Sequence, residues 1–432
     1  MAIASAALGY NNCMTSLLIH SAAQLLTLAG SPQRGNELGR ISMLNDGAVL
    51  IEDDRIAAVG PSDELLQRYP HAPRLSAEGK AVLPGLIDPH THLIWAGDRA
   101  AEFEMRLQGK TYMEIMAAGG GIASTVHATR TAGSAALLAQ TRARAEGLFR
   151  NGTTTAEAKT GYGLELNSEL NQMELLLQLN REGPLEIVPT FLAAHAIAPE
   201  YQERPDEYTD LICTQMLPAL KVWWPQHAPE QPLPFVDVFC EEGAFNLAQT
   251  RRILTAAQKL GFPLKLHVDE FANLGGATLA AELGATTADH LVKTSGADIR
   301  ALAASETVAV ALPCTPFGLA QAEYTPAREI LAAGGLLAIA SDINPGTAWC
   351  ESMQFVIALA CRMLKLTPAQ AVAAATINAA AAIHCQDRLG SLEPGKQADL
   401  ILLSVPDYRH LAYRFGGNLV DTVIKKGKVY PR

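Results

Sequence analysis

The chain has no CxxC pair, no cluster of lysines and arginines, no low-complexity tract and no repeat of solenoid length. Nor does it contain an apolar run of about 20 residues free of charge. Each absence excludes a class. The seven cysteines (Cys13, Cys213, Cys240, Cys314, Cys350, Cys361 and Cys385) are odd in number and scattered. They therefore make neither a disulfide framework nor a zinc knuckle and read as reduced thiols of a cytoplasmic protein. A formal net charge of −10 without a basic patch excludes a nucleic-acid partner, because binding phosphates requires a cationic surface. Lack of a long apolar run excludes a membrane span and points to a soluble protein. The opening MAIASAALGYNNC lacks the basic stretch of a secretory signal. Residues 1–13 read as a disordered extension, with Met14 as a candidate start.

What is there is globular: 49% hydrophobic and 18% charged residues over 432 positions. That length suits a barrel of roughly 250 to 300 residues with a smaller companion. Residues 14–80 read as short strands and turns, as in LLIHSAAQLLTL and GAVLIEDDRIAAVGP, and residues 386–432 repeat that signature in GKQADLILLSV and NLVDTVIKKGKVY. The two ends are predicted to form one small β-sandwich domain. Between them, across 81–385, short apolar runs alternate with segments of helical period, which implies parallel βα units. Eight runs can be counted: VLPGLIDPHTH, TTTAEAKTGYG, EIVPTFLAAH, FVDVFCEEG, PLKLHVDE, ATTADH, VAVALP and LLAIASD. Eight fit a closed (β/α)₈ TIM-like barrel, and most end in His, Asp or Glu, at the C-terminal mouth where such barrels keep their chemistry. Thr367 and Pro368 read as the cap and first turn of a helix over TPAQAVAAATINAAAAI.

His90-Thr91-His92 closes the first run. Residues two apart in a strand face the same side, so both imidazoles can converge inside the mouth, although hydrogen-bonded core histidines share this spacing. Asp88 lies on the same face, as a further ligand or as support behind the ligands. His267 ends the fifth run, and Glu270 offers a carboxylate for general-base work or substrate contact. Asp342 closes a very apolar run, where an acid is costly to bury without a cation or donors; helix capping is its other reading. Three nitrogens and one oxygen leave a position open for water, as in catalytic metal sites. Zinc or iron, a divalent or trivalent ion, suits that donor set. Such a metal lowers the pKa of water to about 7. Asp342 can then take its proton and pass it to a leaving nitrogen, while His290, ending the sixth run, polarises the attacked carbonyl or serves as a structural histidine.

These strand ends resemble the amidohydrolase superfamily, of which PGLIDPHTH is the usual opening. Many members hold two metals bridged by a carboxylated lysine at the end of the fourth strand. Here FVDVFCEEG carries Cys240 and Glu241 and no lysine, and Lys159, ending the second strand, is not an obvious substitute. The resemblance therefore implies one metal ion per subunit. Across nearly the whole chain from about residue 14, the sequence is similar to the imidazolonepropionase family of histidine degradation. The phrases that carry this are DPHTHLIWAGDRAAEFEMRLQGKTYMEIMAAGGGI, GTTTAEAKTGYGLE, TFLAAHAIAPEY, HVDEFANLGGA and SDINPGT.

The resemblance implies metal ligands at His90, His92, His267 and Asp342. It implies substrate contacts at Arg99, Tyr162, His195, Glu270, His290, Asn344, Gly346 and Thr347. An arginine and a phenol can hold a carboxylate tail, and backbone N–H groups and short polar side chains of the Asn344–Thr347 loop can bind the product's carboxylates. On its own Arg99 reads as a surface ion pair, and the triple glycine at 119–121 as a flexible mouth loop. The implied activity is hydrolysis of 4-imidazolone-5-propanoate, a small molecule, by a protein that pairs as a homodimer. A purine or pyrimidine deaminase and a non-catalytic binding barrel are the competing expectations.

Overall fold

The computed structural model describes residues 16–110, 114 and 120–431. The expectations for residues 1–13 and Met14 lie outside that range, as does Gly119 of the triple glycine.

All eight expected runs enter one parallel sheet in which each strand neighbours the next in sequence. We number them β1 (Leu86–Asp88), β2 (Thr153–Lys159), β3 (Glu186–Ala194), β4 (Phe235–Cys240), β5 (Leu264–Val268), β6 (Thr287–His290), β7 (Val308–Ala311) and β8 (Leu336–Ile339). Strand β5 shows why the sheet curls. Leu264, Leu266 and Val268 join the apolar layer shared with the helices, while the alternate residues Lys265 and His267 are buried among polar groups. Burying each of those outward side chains contributes about 2 kcal/mol, which offsets the cost of the polar interior. The seam between β8 and β1 is closed past the strand ends. Asp342 N–H donates to His90 O (3.1 Å) and His92 N–H to Ile343 O (2.9 Å). Ser341 donates to Asp88 through both its N–H (3.0 Å) and its hydroxyl.

Two expectations need correction here. VLPGLIDPHTH is not one strand. Residues Ala81–Pro84 pair antiparallel with Leu400–Leu403 in another sheet, and the chain passes into the barrel at Gly85, where a Cβ would overlap the Thr154 side chain. Pro89 then ends β1, having no N–H to continue a ladder, so His90 and His92 stand beyond the strand. Likewise TPAQAVAAATINAAAAI makes two helices, Pro368–Ala374 and Ile377–Ala381, because the chain leaves helical geometry at Thr376. Its predicted start holds: Thr367 and Gln370 form a reciprocal capping box.

The companion is a pair of sheets. One, of four strands, comes from residues 16–76 alone; the other, of six, interleaves both ends, with Gln24–Leu26, Met43–Leu44 and Ala81–Pro84 beside Leu400–Leu403, Val420–Lys425 and Lys428–Pro431. Ile19, Val49 and Ile51 pack with Val82, Leu400, Leu402 and Ile424 in the core between them. Among the described residues no helix is long and apolar enough to cross a membrane.

Candidate metal centre and active site

The barrel mouth brings the four expected ligands together. His90, His92 and His267 hold donor atoms within 4.8 Å of one another. Asp342 Oδ1 lies 3.5 Å from His90 Nε2 and 3.4 Å from His92 Nε2. His290 also reaches this point, forming a second close group with His90 and Asp342. Asp342 is turned inward by left-handed backbone (φ 55°) rather than by the alternation of β8, which ends at Ile339.

Hydrogen bonding decides which nitrogens face inward. His90 Nδ1 sits 2.6 Å from Asp289 Oδ2, and His267 Nδ1 3.1 Å from Asp237 Oδ1. A carboxylate only accepts, so both rings donate from Nδ1 and turn their Nε2 lone pairs to the centre. Buried His90 Nε2 and Asp342 Oδ1 find no hydrogen-bond partner among the described residues, and His267 Nε2 faces His92 Nε2 at 3.2 Å. Buried acceptors aimed at one point without donors are costly unless a cation lies between them. The donor set therefore fits a metal ion.

Asp88 is not among the converging donors: it clasps Ser341 across the seam and accepts the backbone N–H of His90 from behind. The residues behind the ligands were missed by sequence reasoning. Lys159 Nζ lies 2.6 Å from Glu157 Oε1, 2.7 Å from Asp237 Oδ2 and 3.9 Å from Asp289 Oδ2, all fully buried. Burial alone would lower the Lys159 ammonium, but Asp237, Glu157 and Asp289 outweigh it and hold it well above the usual lysine range. Glu157 Oε2 accepts the N–H of Thr91, between the two histidines of the HxH. A signal existed: Glu157 and Lys159 in TTTAEAK, and Lys265 before His267 in LKLHV, are charges at alternate positions of apolar strands. Period two puts them on the interior face.

The expected substrate residues gather in one cavity of about 150 Å³, lined by His92, Arg99, Ile122, Tyr162, His195, Phe239, His267, Glu270, Phe271, His290, Asp342, Asn344 and Thr347. Gly346 stands outside that wall; its missing side chain makes room for the Arg99 guanidinium. Arg99 is an ion pair, as read from the sequence, but a largely buried one. Its Nε donates to Glu102 Oε2 (2.8 Å), whose same oxygen accepts Gly121 N–H (2.7 Å). The expected use of loop N–H groups does not hold, because those of Gly346 and Thr347 already donate to Asn344 Oδ1 (2.8 Å each).

His195 stacks on His92 (4.6 Å) and donates Nδ1–H to Gly161 O (3.0 Å), leaving Nε2 as an acceptor. Burial lowers its pKa to about 3. Burial and then Asp342 raise Tyr162, so it remains a phenol. In the chain alone, burial and then Asp342 and Glu241 hold the Glu270 carboxyl well above the carboxylate range, and burial and then His267 keep His290 neutral. Glu241, where a lysine was looked for, accepts the N–H groups of Phe271 (2.9 Å) and Ala272 (3.1 Å) and so anchors the loop that carries Glu270.

An eight-stranded parallel barrel with imidazoles and carboxylates converging at its mouth is a hydrolase of the amidohydrolase class, acting on C–N bonds. Residues 242–430 match the amidohydrolase family, and residues 47–72 match the imidazolonepropionase-like composite domain of bacteria. Imidazolonepropionase from Herpetosiphon aurantiacus is 50% identical over 96% of this chain and 97% of its own, and that from Chloroflexus aggregans is 48% identical over 96% and 98%. The chain belongs to the imidazolonepropionase family. Among solved structures, a zinc-bound adenosine deaminase from Xanthomonas campestris shares the fold at TM-score 0.69 and 22% identity, over 96% of this chain and 92% of that one. A guanine deaminase from Bradyrhizobium japonicum does so at 0.67 and 18%, over 97% and 100%.

Proposed function

We propose that this chain hydrolyses 4-imidazolone-5-propanoate to N-formimidoyl-L-glutamate, using one zinc or iron ion held by His90, His92, His267 and Asp342. The observation that carries the reading is the convergence of Arg99, Tyr162 and a neutral His290 on one small cavity beside inward-facing, otherwise unpartnered acceptors. A metal bound there supplies Lewis acidity, which makes water nucleophilic at neutral pH.

The chain's own groups do the rest. Arg99 and the Tyr162 hydroxyl hold the propionate carboxylate and set the ring's orientation. His290, uncharged, donates to the ring carbonyl and stabilises charge as it develops there. Glu270, whose carboxyl burial pushes up, hydrogen-bonds a ring nitrogen. The Asp342 carboxylate takes the proton of the attacking water and returns it to the nitrogen released as the C–N bond opens.

Purified protein mixed with the imidazolone should deplete its ultraviolet absorbance well above the spontaneous rate. Prior chelation should abolish that activity, and added zinc or ferrous iron should restore it. Depletion at the spontaneous rate, with ammonia released from guanine or cytosine instead, would replace the proposal with base deamination.

A further inference from the structure

Lys159 has no part in the chemistry above, yet it is a fully enclosed cation near the centre. It is fully buried, and its ammonium touches the carboxylates of Glu157 and Asp237, with Asp289 at 3.9 Å. The only other buried ammonium in this layer among the described residues, Lys265, spends its hydrogen bonds on Pro89 O (2.8 Å) and Ala382 O (3.2 Å) and comes no nearer to Glu157 than 3.9 Å. Two of the three carboxylates around Lys159 are those that accept from His267 and His90, and the third fixes the backbone between His90 and His92.

We propose that Lys159 is the positioning residue of the metal centre: one ammonium ties together the three carboxylates that orient His90, Thr91 and His267, so that two Nε2 lone pairs meet at one point before a metal arrives. The physical basis is charge and geometry together. Three carboxylates crowded inside a barrel repel one another and would turn apart or admit water without a central cation. If they turned, His90 and His267 would lose the acceptors that select their tautomer. Strand β2 delivers both Glu157 and Lys159 because residues two apart share its interior face.

The inference rests on the metal reading proposed above, and its test separates the two. Zinc affinity of the full-length protein is measured by competition with a chromophoric chelator, for the wild type and for Lys159→Met, with circular dichroism to verify folding. Loss of a support behind the ligands is expected to weaken zinc about 10- to 100-fold. If Lys159→Met does not fold, Lys159→Gln, which keeps a donor but no charge, carries the same measurement. Imidazole ¹⁵N spectra of the metal-free wild type should show His90 and His267 as the Nδ1–H tautomer, and a folded variant should show mixtures. A folded variant within twofold of wild-type zinc affinity, or a wild type lacking those tautomers, overturns the role of Lys159. A wild type that binds no zinc or iron overturns the metal reading itself.

Discussion

A glycine and an arginine show how tightly single residues are fitted at the mouth. Gly346 is not in a left-handed conformation; what requires glycine is the guanidinium of Arg99 lying where a side chain would begin. Arg106 further pins the loop by donating to Gly346 O (2.8 Å). Gly346→Ala should therefore displace Arg99 and raise KM for the imidazolone several-fold while leaving metal content at the wild-type level. Arg99→Gln removes a charged hydrogen bond of about 1.5–3 kcal/mol, so KM should rise by one to two orders of magnitude with a smaller change in kcat. Steady-state kinetics on both variants check this; an unchanged KM in Arg99→Gln would place the substrate carboxylate elsewhere.

Elements meet at the β8–β1 seam, where the barrel is closed by groups beyond the strand ends. Ser341 makes two donations to Asp88, and its hydroxyl also accepts the N–H of Ile343 (3.1 Å). Burial raises the Asp88 carboxyl to about 7 even against the Ser341 hydrogen bonds, so this pair is enclosed on both sides. Ser341→Ala leaves a buried acid short of a donor, which costs about 1–3 kcal/mol. Thermal unfolding should show a lower Tm for this variant, and activity should fall with it because the next residue is Asp342. The helix start at Thr367 predicts a smaller effect: Thr367→Ala should cost about 1 kcal/mol and leave kinetics unchanged, since that cap lies outside the catalytic cavity.

At the scale of the whole molecule, barrel and sandwich are joined by buried charge. Glu186, opening β3, meets Lys425 from the six-stranded sheet at 3.0 Å, pairs with Arg388 and accepts from Gln397 (3.1 Å). Burial pushes its carboxyl up, but Lys425 and Arg388 outweigh burial and hold it below the usual range. A depressed folded-state pKa gives stability that is fully present above the unfolded value, about 4.3, and is lost as pH falls through the folded one. Glu186→Gln should thus cost about 3 kcal/mol near neutrality. Urea midpoints of wild type and variant should stay a constant distance apart above about pH 5 and converge below about pH 4. A gap that persists in acid would show that packing, not charge, makes this contact.

The sequence by itself determined the strand count, the order of the strands and which four residues to look for at the barrel mouth as candidate ligands. Apolar runs of strand length that end in His, Asp or Glu carry that information locally, through a period of two and the alternation with helices. Only the tertiary structure decided what closes the barrel and what stands behind the metal ligands. Asp88, by spacing a further ligand or a support behind the ligands, is held by Ser341, 253 residues away. Lys159 is no obvious substitute for a metal-bridging lysine, yet it gathers carboxylates from β2, β4 and β6. The reason is physical. A strand's alternation says which side chains face inward, but their partners come from strands far apart in sequence, and the hydrogen bond each charge makes is fixed only when the barrel closes.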